Sequence, residues 1–257
     1  MEEEEQEEAN LRQVLKLFKS QTKKECYSIK ILKDDKEEPS ILDDKLSGRP
    51  YLPKHCAYPT GKEHSKDKPL PLILQLNLSH IHLHNYPREG ILELFMSSDY
   101  PFDYEIKYFK EVDEENYKTD GFPEFSKELL YFERGYKIQL EKAVDYMYSS
   151  DYQFEDTLIK IINKVYGKKY ENVHERDDIV DYIEGMIERI DCTFGGYPDF
   201  VQEDPRKEDN SKGECLLKME SIGDNPFGDC GVLFALINKY DIKKGALENA
   251  SVDWDCS

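Results

Sequence analysis

The sequence predicts an α+β protein with a predominantly antiparallel β-sheet, with helices at the N-terminus and in the centre of the chain. Short segments in which apolar and polar residues alternate occur before and after the centre of the 257 residues. This alternation is typical of half-buried strands. Apolar residues at helical spacing are confined to the N-terminal and central segments. Because helices and strands are segregated, an α+β fold is favoured over a doubly wound sheet.

Three segments have the spacing of amphipathic helices. The first follows an acidic stretch, residues 1–10, and its apolar face consists of Leu11, Val14, Leu15 and Phe18. The second and third are residues 151–166 and 177–190, which repeat apolar residues every three or four positions. Gly167 is expected to end the second helix, since glycine is common just after a helix C-terminus.

The strand candidates are short and are bounded by segments rich in glycine, proline and charged residues. They are residues 26–32, 70–78, 90–96, 103–109, 128–132, 193–201, 216–221 and 231–237. Connections within each half of the chain are too short to hold a crossover helix. Neighbouring strands are therefore expected to pair antiparallel.

The order of these signals is similar on the two sides of the central helices. Each side has a turn with glycine and proline, then an alternating strand, a loop and an apolar strand that begins with glycine. The matching segments are 48–51, 74–76 and 90–95 in the first copy, and 196–199, 217–219 and 231–236 in the second. Three similarities in matching order predict an internal duplication of one β-rich unit.

These patterns predict four regions that together form one compact domain. They are an acidic N-terminal segment and helix at 1–22, a first β-rich unit at 23–150, central helices at 151–192 and a second β-rich unit at 193–257.

The charge balance argues against two classes of partner. The chain has 54 acidic residues against 35 Lys and Arg, a formal net charge of −19. Such a field repels nucleic acid and anionic membrane surfaces, so we expect neither as a partner. A basic protein or a divalent cation is favoured instead. The acidic segment Glu2–Glu8 could itself dock a basic partner, although such runs are usually only solvated.

The cysteines and the first residues indicate a cytoplasmic protein. Six cysteines occur without a Cys-x-x-Cys pair, which is not the pattern of a disulfide scaffold or a zinc site. The acidic N-terminal segment lacks the apolar region of a signal peptide, and no apolar run is long enough to span a membrane.

Seven short motifs follow one another along the chain. They are Gly-Arg-Pro-Tyr-Leu-Pro at 48–53, Leu-Gln-Leu-Asn-Leu at 74–78, Gly-Gly-Tyr-Pro at 195–198, Gln202 with Asp204-Pro205-Arg206, Leu-Leu at 216–217, Gly-Asp-Cys-Gly at 228–231 and Trp254-Asp255-Cys256. This ordered set resembles the YwqG-like family, a bacterial family of domains of unknown function. The resemblance extends from about Leu46 to the end of the sequence.

The resemblance implies an α+β architecture with an internal duplication, and no established activity, substrate or cofactor. Genes of this family often lie near genes for secreted toxins and immunity proteins, which implies a possible inhibitor role. Two positions differ from the family pattern. Phe227 stands where a tryptophan is usual, and Ser47-Gly48 replaces the first glycine pair. The second difference weakens the hypothesis that both glycine pairs bind a ligand.

A histidine run is the candidate for a metal site. In a strand, His80, His82 and His84 would share one face, and three imidazoles could bind Zn²⁺ or Ni²⁺. A strand would space them in a row rather than converge them, and Pro87 favours a loop. A solvated loop face is therefore the preferred interpretation, and we expect no metal.

The second copy holds the candidate ligand site. Its residues are Gly195, Gly196, Gln202, Asp204, Arg206 and Asp229, with Gln75 as the counterpart in the first copy. Glycines let a backbone approach a ligand closely, and the polar side chains could hold a polar one. Tight turns require the same residues, because glycine supplies positive φ and aspartate forms local hydrogen bonds.

No motif indicates an enzyme. Gly-x-Ser-x-Gly, Walker, Rossmann and His-Glu-x-x-His patterns are lacking in the sequence. A cysteine and a histidine could still meet in space, and Cys192 and Cys230 flank the glycine turns. Our leading hypothesis is a non-enzymatic interaction protein, of the inhibitor or immunity type, that binds another protein through a cleft or sheet edge. The alternative is an enzyme or small polar-ligand-binding protein that uses residues 195–206. We expect no cofactor.

Overall fold

The structure, a computed structural model, describes residues 2–63, 66–97, 103–125, 132–208, 213–220 and 231–256. Its helices are α1 (Glu2–Thr22), α2 (Phe154–Tyr166), α3 (Asp177–Met186) and α4 (Lys239–Lys244). Its strands are β1 (Lys24–Ile31), β2 (Lys45–Leu46), β3 (Thr60–Glu63), β4 (Lys66–Pro69), β5 (Leu72–Asn77), β6 (Ile91–Met96), β7 (Tyr104–Phe109), β8 (Tyr136–Asp145), β9 (Cys192–Gly195), β10 (Glu214–Glu220), β11 (Val232–Ile237) and β12 (Ser251–Asp255). A large, mostly antiparallel sheet with helices at the N-terminus and centre confirms the α+β class.

The three longest helices form where the apolar spacing predicts them. Val14 and Phe18 of α1 are fully buried, and Phe18 makes an edge-to-face contact with Phe154 of α2. Gly167 ends α2 in the left-handed conformation, and its N–H donates to the Asn163 carbonyl, as predicted. None of the described helices is long and apolar enough to cross a membrane.

The chain divides into two units. Unit A comprises Ile29–Glu141 and Ala235–Val252, and unit B comprises Met1–Ser28, Lys142–Phe234 and Asp253–Ser257. Each unit therefore contains segments that are distant in the sequence. The division groups α1 and the start of β1 with the central helices.

Unit A is a sheet with the strand order β8-β2-β5-β6-β7. Each neighbouring pair in this order is antiparallel. Lys45 of β2 lies opposite Gln75 of β5, and Gln75 lies opposite Glu93 of β6. Opposite residues project from the same face of a sheet, so these three side chains form a polar row. All three are fully buried, and the row continues with Lys137 of β8 opposite Lys45 and Lys107 of β7 opposite Glu93.

Unit B combines helices α1, α2 and α3 with strands in the order β10-β9-β1. β9 is short and is antiparallel to both neighbours. Its Thr193 lies opposite Ser28 of β1 on one side and Lys218 of β10 on the other. The apolar faces of the helices form the core, which includes Leu158 and Ile183.

Several elements differ in extent from the prediction. The strand predicted at 193–201 ends at Gly195, because Gly195 and Gly196 both have positive φ and turn the chain. The helix predicted at 177–190 ends at Met186, since Ile187 is extended. The strand predicted at 128–132 lies outside the described residues except for Phe132. The elements that were not predicted are the short helix α4 and the strands β2, β3, β4, β8 and β12.

Candidate functional site

Unit A contains a pocket of about 370 Å³ at the end of β2. We call it pocket A. It lies between the turn after β2, the segment Thr119–Phe125 and the residues that precede β8. Its lining consists of Ser47, Gly48, Arg49, Pro50, Tyr58, Pro71, Leu72, Thr119, Asp120, Gly121, Phe122, Pro123, Glu124, Phe125, Arg134 and Gly135. This volume is within the range of small-molecule and peptide sites.

A turn with two consecutive positive φ angles forms one wall of pocket A. Ser47 has φ 57° and Gly48 has φ 86°. Positive φ is uncommon for a residue with a side chain, so Ser47 is held there by its surroundings. Its N–H donates to the Ile73 carbonyl at 3.0 Å, and the residue is buried. The turn therefore has a defined shape where it meets the pocket.

Aromatic rings form the apolar part of the wall. The Tyr58 ring lies 5.8 Å from the Phe95 ring in an edge-to-face contact and 6.3 Å from the Phe125 ring. Burial raises the pKa of the Tyr58 hydroxyl, so the side chain is neutral at physiological pH. This wall favours the apolar or aromatic part of a ligand.

The two arginines of pocket A differ in availability. Arg134 donates to the Asp35 carbonyl at 2.7 Å, and its guanidinium lies 4.4 Å from the centre of the Tyr136 ring. Arg49 is exposed and forms no hydrogen bond or ion pair with any other described residue. Asp120 and Glu124 are also exposed and have no such contact within the described part of the chain. The described lining therefore carries two arginines and two carboxylates, of which Arg49, Asp120 and Glu124 have no partner among the described residues.

A buried lysine and a buried glutamate lie in the sheet near the turn. The Lys45 ammonium donates to the Ser40 and Ile41 carbonyls at 2.6 and 2.9 Å. Burial lowers the pKa of Lys45 to about 8, although the Glu93 carboxylate opposes this shift. Neither Glu93 oxygen has a hydrogen-bond partner among the described residues. Burial raises the pKa of Glu93 well above its usual range, opposed by the charge of Lys45.

Gln75 connects this row to the loops of unit A. Its amide nitrogen donates to the Ile41 and Asp43 carbonyls at 2.8 and 2.9 Å, and its oxygen accepts from the Tyr51 N–H at 2.8 Å. These bonds position the segment that follows the turn. Gln75 is fully buried, and these three hydrogen bonds all join it to backbone groups of unit A.

The turn after β9 in unit B has the same backbone signature as the turn after β2. Gly195 has φ 78° and Gly196 has φ 86°. The Asp145 carboxylate lies against this turn, and its Oδ2 accepts from the Tyr197 N–H at 2.8 Å. A Cβ added to Gly196 would lie only 2.6 Å from that oxygen. The protein itself therefore fills the space beside this turn.

Two of the predicted ligand-binding residues belong to a closed ion-pair network in unit B. Arg206 is almost fully buried, and its Nη2 contacts Asp151 at 2.7 Å and Asp204 at 2.6 Å. Its Nη1 also donates to the Gly213 carbonyl. Burial lowers the pKa of Arg206, but the two carboxylates outweigh burial, so the net pKa is raised. Such a network positions the local backbone, because every charge is paired.

The remaining predicted site residues are dispersed. Gln202 is exposed, and its amide donates to the Cys256 carbonyl at 2.9 Å. Asp229 lies outside the described residues. Gly195 and Gly196 form the filled turn in unit B. Gln75 lies in unit A.

A second pocket, pocket B, lies beside the predicted region in unit B. It has a volume of about 400 Å³, and its described lining is Arg189, Asp199, Phe200, Val201, Glu220, Gly231 and Val232. Arg189 pairs with Asp199 at 2.8 Å, and the Ser150 hydroxyl donates to Asp199 at 2.9 Å. Burial raises the pKa of Glu220. Pocket B thus combines acidic side chains with one exposed arginine.

Comparison with protein-family models gives one match, to the family described as domain of unknown function DUF1963, over residues 44–256. The match covers more than half of the chain. The chain belongs to the DUF1963 family. A search of curated proteins found no match.

The DUF1963 match includes both turns and every described residue of pockets A and B. It begins after α1 and β1. Both of these elements nevertheless belong to the fold, since α1 packs in the core of unit B and β1 pairs with β9. In this chain the matched range therefore packs and pairs with α1 and β1, which lie outside it.

The histidine run has a structural role at its first residue. Residues Leu78–His80 form a turn of 3-10 helix, and the His80 ring lies 2.8 Å from the Asp44 carboxylate. His82 and His84 follow outside any helix or strand. Among the described residues, no group of three or more histidine, cysteine, aspartate or glutamate side chains could hold a metal ion.

Three cysteines of unit B, Cys26, Cys192 and Cys215, are buried, whereas Cys256 is partly exposed. Burial raises the pKa of Cys26, Cys192 and Cys215 to about 12 in each case. These thiols remain protonated at physiological pH, which makes them poor nucleophiles. Cys230 lies outside the described residues.

Sequence reasoning did not identify pocket A. The turn motif Gly48-Arg49-Pro50 was recognised, but as one end of a repeat. Thr119–Phe125 carries no pattern that a strand or helix would show. One signal was present in the sequence: Ser47 stands where the corresponding turn of unit B has Gly195. This difference marks the turn that lines pocket A.

Proposed function

We propose that the chain is a non-enzymatic interaction module that binds a short segment of another protein in pocket A. The observation that carries the proposal is that Arg49, Asp120 and Glu124, which have no partner among the described residues, lie beside an aromatic wall. A peptide offers both charges and apolar side chains within a few residues. It therefore matches this lining better than a compact ligand of one charge does.

The lining supports binding rather than catalysis. The described residues of pocket A include no histidine, cysteine or lysine. Asp120 and Glu124 are exposed and have no partner among the described residues that would act with them as a base or nucleophile. An exposed acid and an exposed arginine can hold a ligand without activating it.

Peptide-phage selection tests the proposal. Purified protein is used to select from a random peptide library, in parallel with a Thr119→Trp variant. Thr119 is exposed and lines the pocket, so an indole there should occupy the space of the ligand. We expect a peptide consensus on the wild type that is lost on Thr119→Trp.

The matched control is Thr60→Trp, because Thr60 is an exposed threonine of unit A outside the described lining. Both variants should unfold at temperatures close to that of the wild type. Recovery of the same consensus on Thr119→Trp, or no consensus on the wild type, would exclude pocket A as a peptide site.

We also infer that this DUF1963 protein is a YwqG-like member of the family and acts in the bacterial cytoplasm. The motifs at 48–53, 195–198 and 228–231 support the finer assignment. An inhibitor or immunity role is one form that peptide-segment recognition could take. Protection of cells that express a neighbouring toxin gene would test that role.

The internal duplication is likewise our inference, and the strand registers support it. Leu46 and Lys45 lie opposite Leu74 and Gln75 in unit A, and Phe194 and Thr193 lie opposite Leu217 and Lys218 in unit B. In both units the first-named residue precedes the turn with two positive φ angles.

The outer neighbours of these strands correspond as well. Leu46 lies opposite Tyr136 of β8, and Phe194 lies opposite Tyr27 of β1. The segment Tyr-Lys-Ile-Gln-Leu at 136–140 resembles Tyr-Ser-Ile-Lys-Ile at 27–31. One ancestral unit accounts for both arrangements.

A small polar ligand in pocket B is the second candidate, in keeping with the alternative centred on residues 195–206. The Arg189–Asp199 pair beside Glu220 favours a ligand with hydrogen-bond donors. The test is thermal unfolding of the wild type and Arg189→Gln with each standard amino acid. A rise in unfolding temperature for the wild type alone would support this site, and no rise with any amino acid would count against it.

A further inference from the structure

The turn of unit B shows how a carboxylate binds to this backbone. Its two glycines have positive φ, and the N–H of the next residue, Tyr197, donates to Asp145 at 2.8 Å. The other Asp145 oxygen accepts from the Tyr148 hydroxyl at 2.6 Å. Asp145 is almost fully buried. The carboxylate is therefore seated on the turn by a backbone donor and held from the other side by a side chain.

The turn of unit A has the donor, but no carboxylate of the described residues accepts from it. Arg49 follows Gly48 as Tyr197 follows Gly196, and the Arg49 N–H has no acceptor among the described residues. The atom nearest to a Cβ added at Gly48 is the Gly135 Cα, at 3.4 Å. At Gly48 the described neighbour is thus the backbone of Gly135 and not a carboxylate side chain, and both glycines line pocket A.

We propose that pocket A takes a carboxylate of its ligand at the Ser47–Gly48–Arg49 turn, in the place that Asp145 occupies at the turn of unit B. This inference rests on the proposed function and names the group that the peptide must carry. The Arg49 N–H donates to one carboxylate oxygen, and the Arg49 guanidinium pairs with the same group. Arg49 suits this role because it is exposed and unpaired within the described structure, and guanidinium matches carboxylate geometry.

The other charged side chains of pocket A indicate which residues should lie beside that carboxylate in the ligand. Asp120 and Glu124 lie in the same lining and have no partner among the described residues. The whole chain has a net charge of −19. Both features disfavour a purely acidic segment and favour lysine or arginine beside the bound carboxylate. The preferred ligand is therefore a mixed-charge peptide with one acidic group directed at the turn.

Amide NMR with small carboxylate probes tests the inference directly. N-acetyl-aspartate methylamide presents a side-chain carboxylate, N-acetylglycine presents a C-terminal carboxylate, and N-acetyl-asparagine methylamide is the neutral control. We expect saturable shifts of the Gly48 and Arg49 amide signals with at least one carboxylate probe and none with the control. The probe that binds more tightly identifies the source of the carboxylate.

Variants of Arg49 provide the second readout. Arg49→Gln should weaken binding of the effective probe by about tenfold or more, since it removes a charge-assisted pair. Arg49→Lys should lose less, because it retains the charge. Arg88→Gln is the matched control, an exposed arginine of unit A outside the described lining.

The outcomes separate this inference from the proposed function. Equal shifts with aspartate and asparagine probes, no shifts at Gly48 and Arg49, or unchanged binding in Arg49→Gln would overturn the carboxylate assignment. A peptide consensus selected through pocket A would still stand in any of these cases. If the selection gives no consensus but the carboxylate probes shift both amides, the carboxylate site stands and the peptide assignment fails.

Discussion

The turn after β2 in unit A and the turn after β9 in unit B share a backbone conformation but differ in what lies beside them. Each has two residues with positive φ, and each follows a strand with the same register to its neighbour. Asp145 fills the space beside the second turn, whereas pocket A adjoins the first. The same turn geometry can therefore support packing in one unit and line a pocket in the other.

The charged groups near the two turns differ in the same way. In unit B, Lys218 donates to the Tyr148 hydroxyl at 3.1 Å, and that hydroxyl donates to Asp145. In unit A, the Lys45 ammonium donates to two backbone carbonyls, and Glu93 has no hydrogen bond within the described residues. Near its turn, unit B thus provides hydrogen-bond donors to Asp145, whereas unit A provides none to Glu93 from the described residues. Buried unsatisfied groups reduce stability and are common at functional sites.

The largest expected difference in the free energy of unfolding is between variants of Arg206 in unit B and Arg49 in unit A. Arg206→Gln should lower the free energy of unfolding by about 3–5 kcal/mol, because it leaves Asp151 and Asp204 buried without a counter-charge. Arg49→Gln should change it by less than about 0.5 kcal/mol, since the exposed side chain has no partner among the described residues. Urea unfolding of both variants checks the contrast. A small loss in Arg206→Gln would contradict a structural role for the network.

The next largest effect is expected at the filled turn. Asp145→Ala should cost about 2–4 kcal/mol, because the buried Tyr197 N–H and Tyr148 hydroxyl lose their acceptor. Asp145→Asn should cost less, since an amide oxygen can still accept one of these bonds. Chemical denaturation gives both values. If alanine and asparagine were equally tolerated, the carboxylate would not be what stabilises this turn.

The two glycines should respond differently to a methyl group. Gly196→Ala should cost about 2–3 kcal/mol, from positive φ together with the 2.6 Å approach to Asp145. Gly48→Ala has the same φ but an ordinary contact, so we expect about 1–2 kcal/mol. Thermal or urea unfolding of the pair measures the difference. Equal losses would mean that the space beside the two turns is the same.

The last expected effect is a pH dependence that belongs to unit A. The folded pKa of Glu93 lies well above its usual value of 4.5, so the folded protein binds more protons than the unfolded chain above that pH. Stability from this group is complete below pH 4.5 and is lost as pH rises through the folded pKa. Relative to Glu93→Gln, the wild type should lose up to about 1.4 kcal/mol per pH unit between pH 5 and 7.

The window for this measurement stays below the lowered pKa of Lys45, about 8, so that Lys45 remains charged. Urea unfolding at several pH values gives the two curves. Parallel curves for the wild type and Glu93→Gln would show that Glu93 ionises in the folded protein as it does in water.

Much of the fold could be predicted from local pattern, although not all of it. The helical face of Val14 and Phe18 is buried as predicted, because apolar spacing alone selects that face. The strand β8 was missed even though Tyr136, Ile138 and Leu140 alternate with polar residues. The strand predicted at 193–201 was too long, since alternation continues past the point where Gly195 and Gly196 turn the chain.

The candidate site could be predicted far less well. Asp204 and Arg206 have the residue types of a polar-ligand site, but in the structure they pair with each other and with Asp151. No sequence pattern shows that Asp151, more than fifty residues earlier, meets Arg206. The same limit applies to Arg49, whose availability depends on which side chains lie near it in space.

The sequence by itself determined the three longest helices, most of the longer strands and where glycine turns the chain, because periodicity and backbone freedom are local properties. Only the tertiary structure decided that one turn is filled and the other adjoins a pocket. The physical reason is distance along the chain: Asp145 reaches the Tyr197 N–H from 52 residues away, and such a meeting depends on the packing of the whole unit.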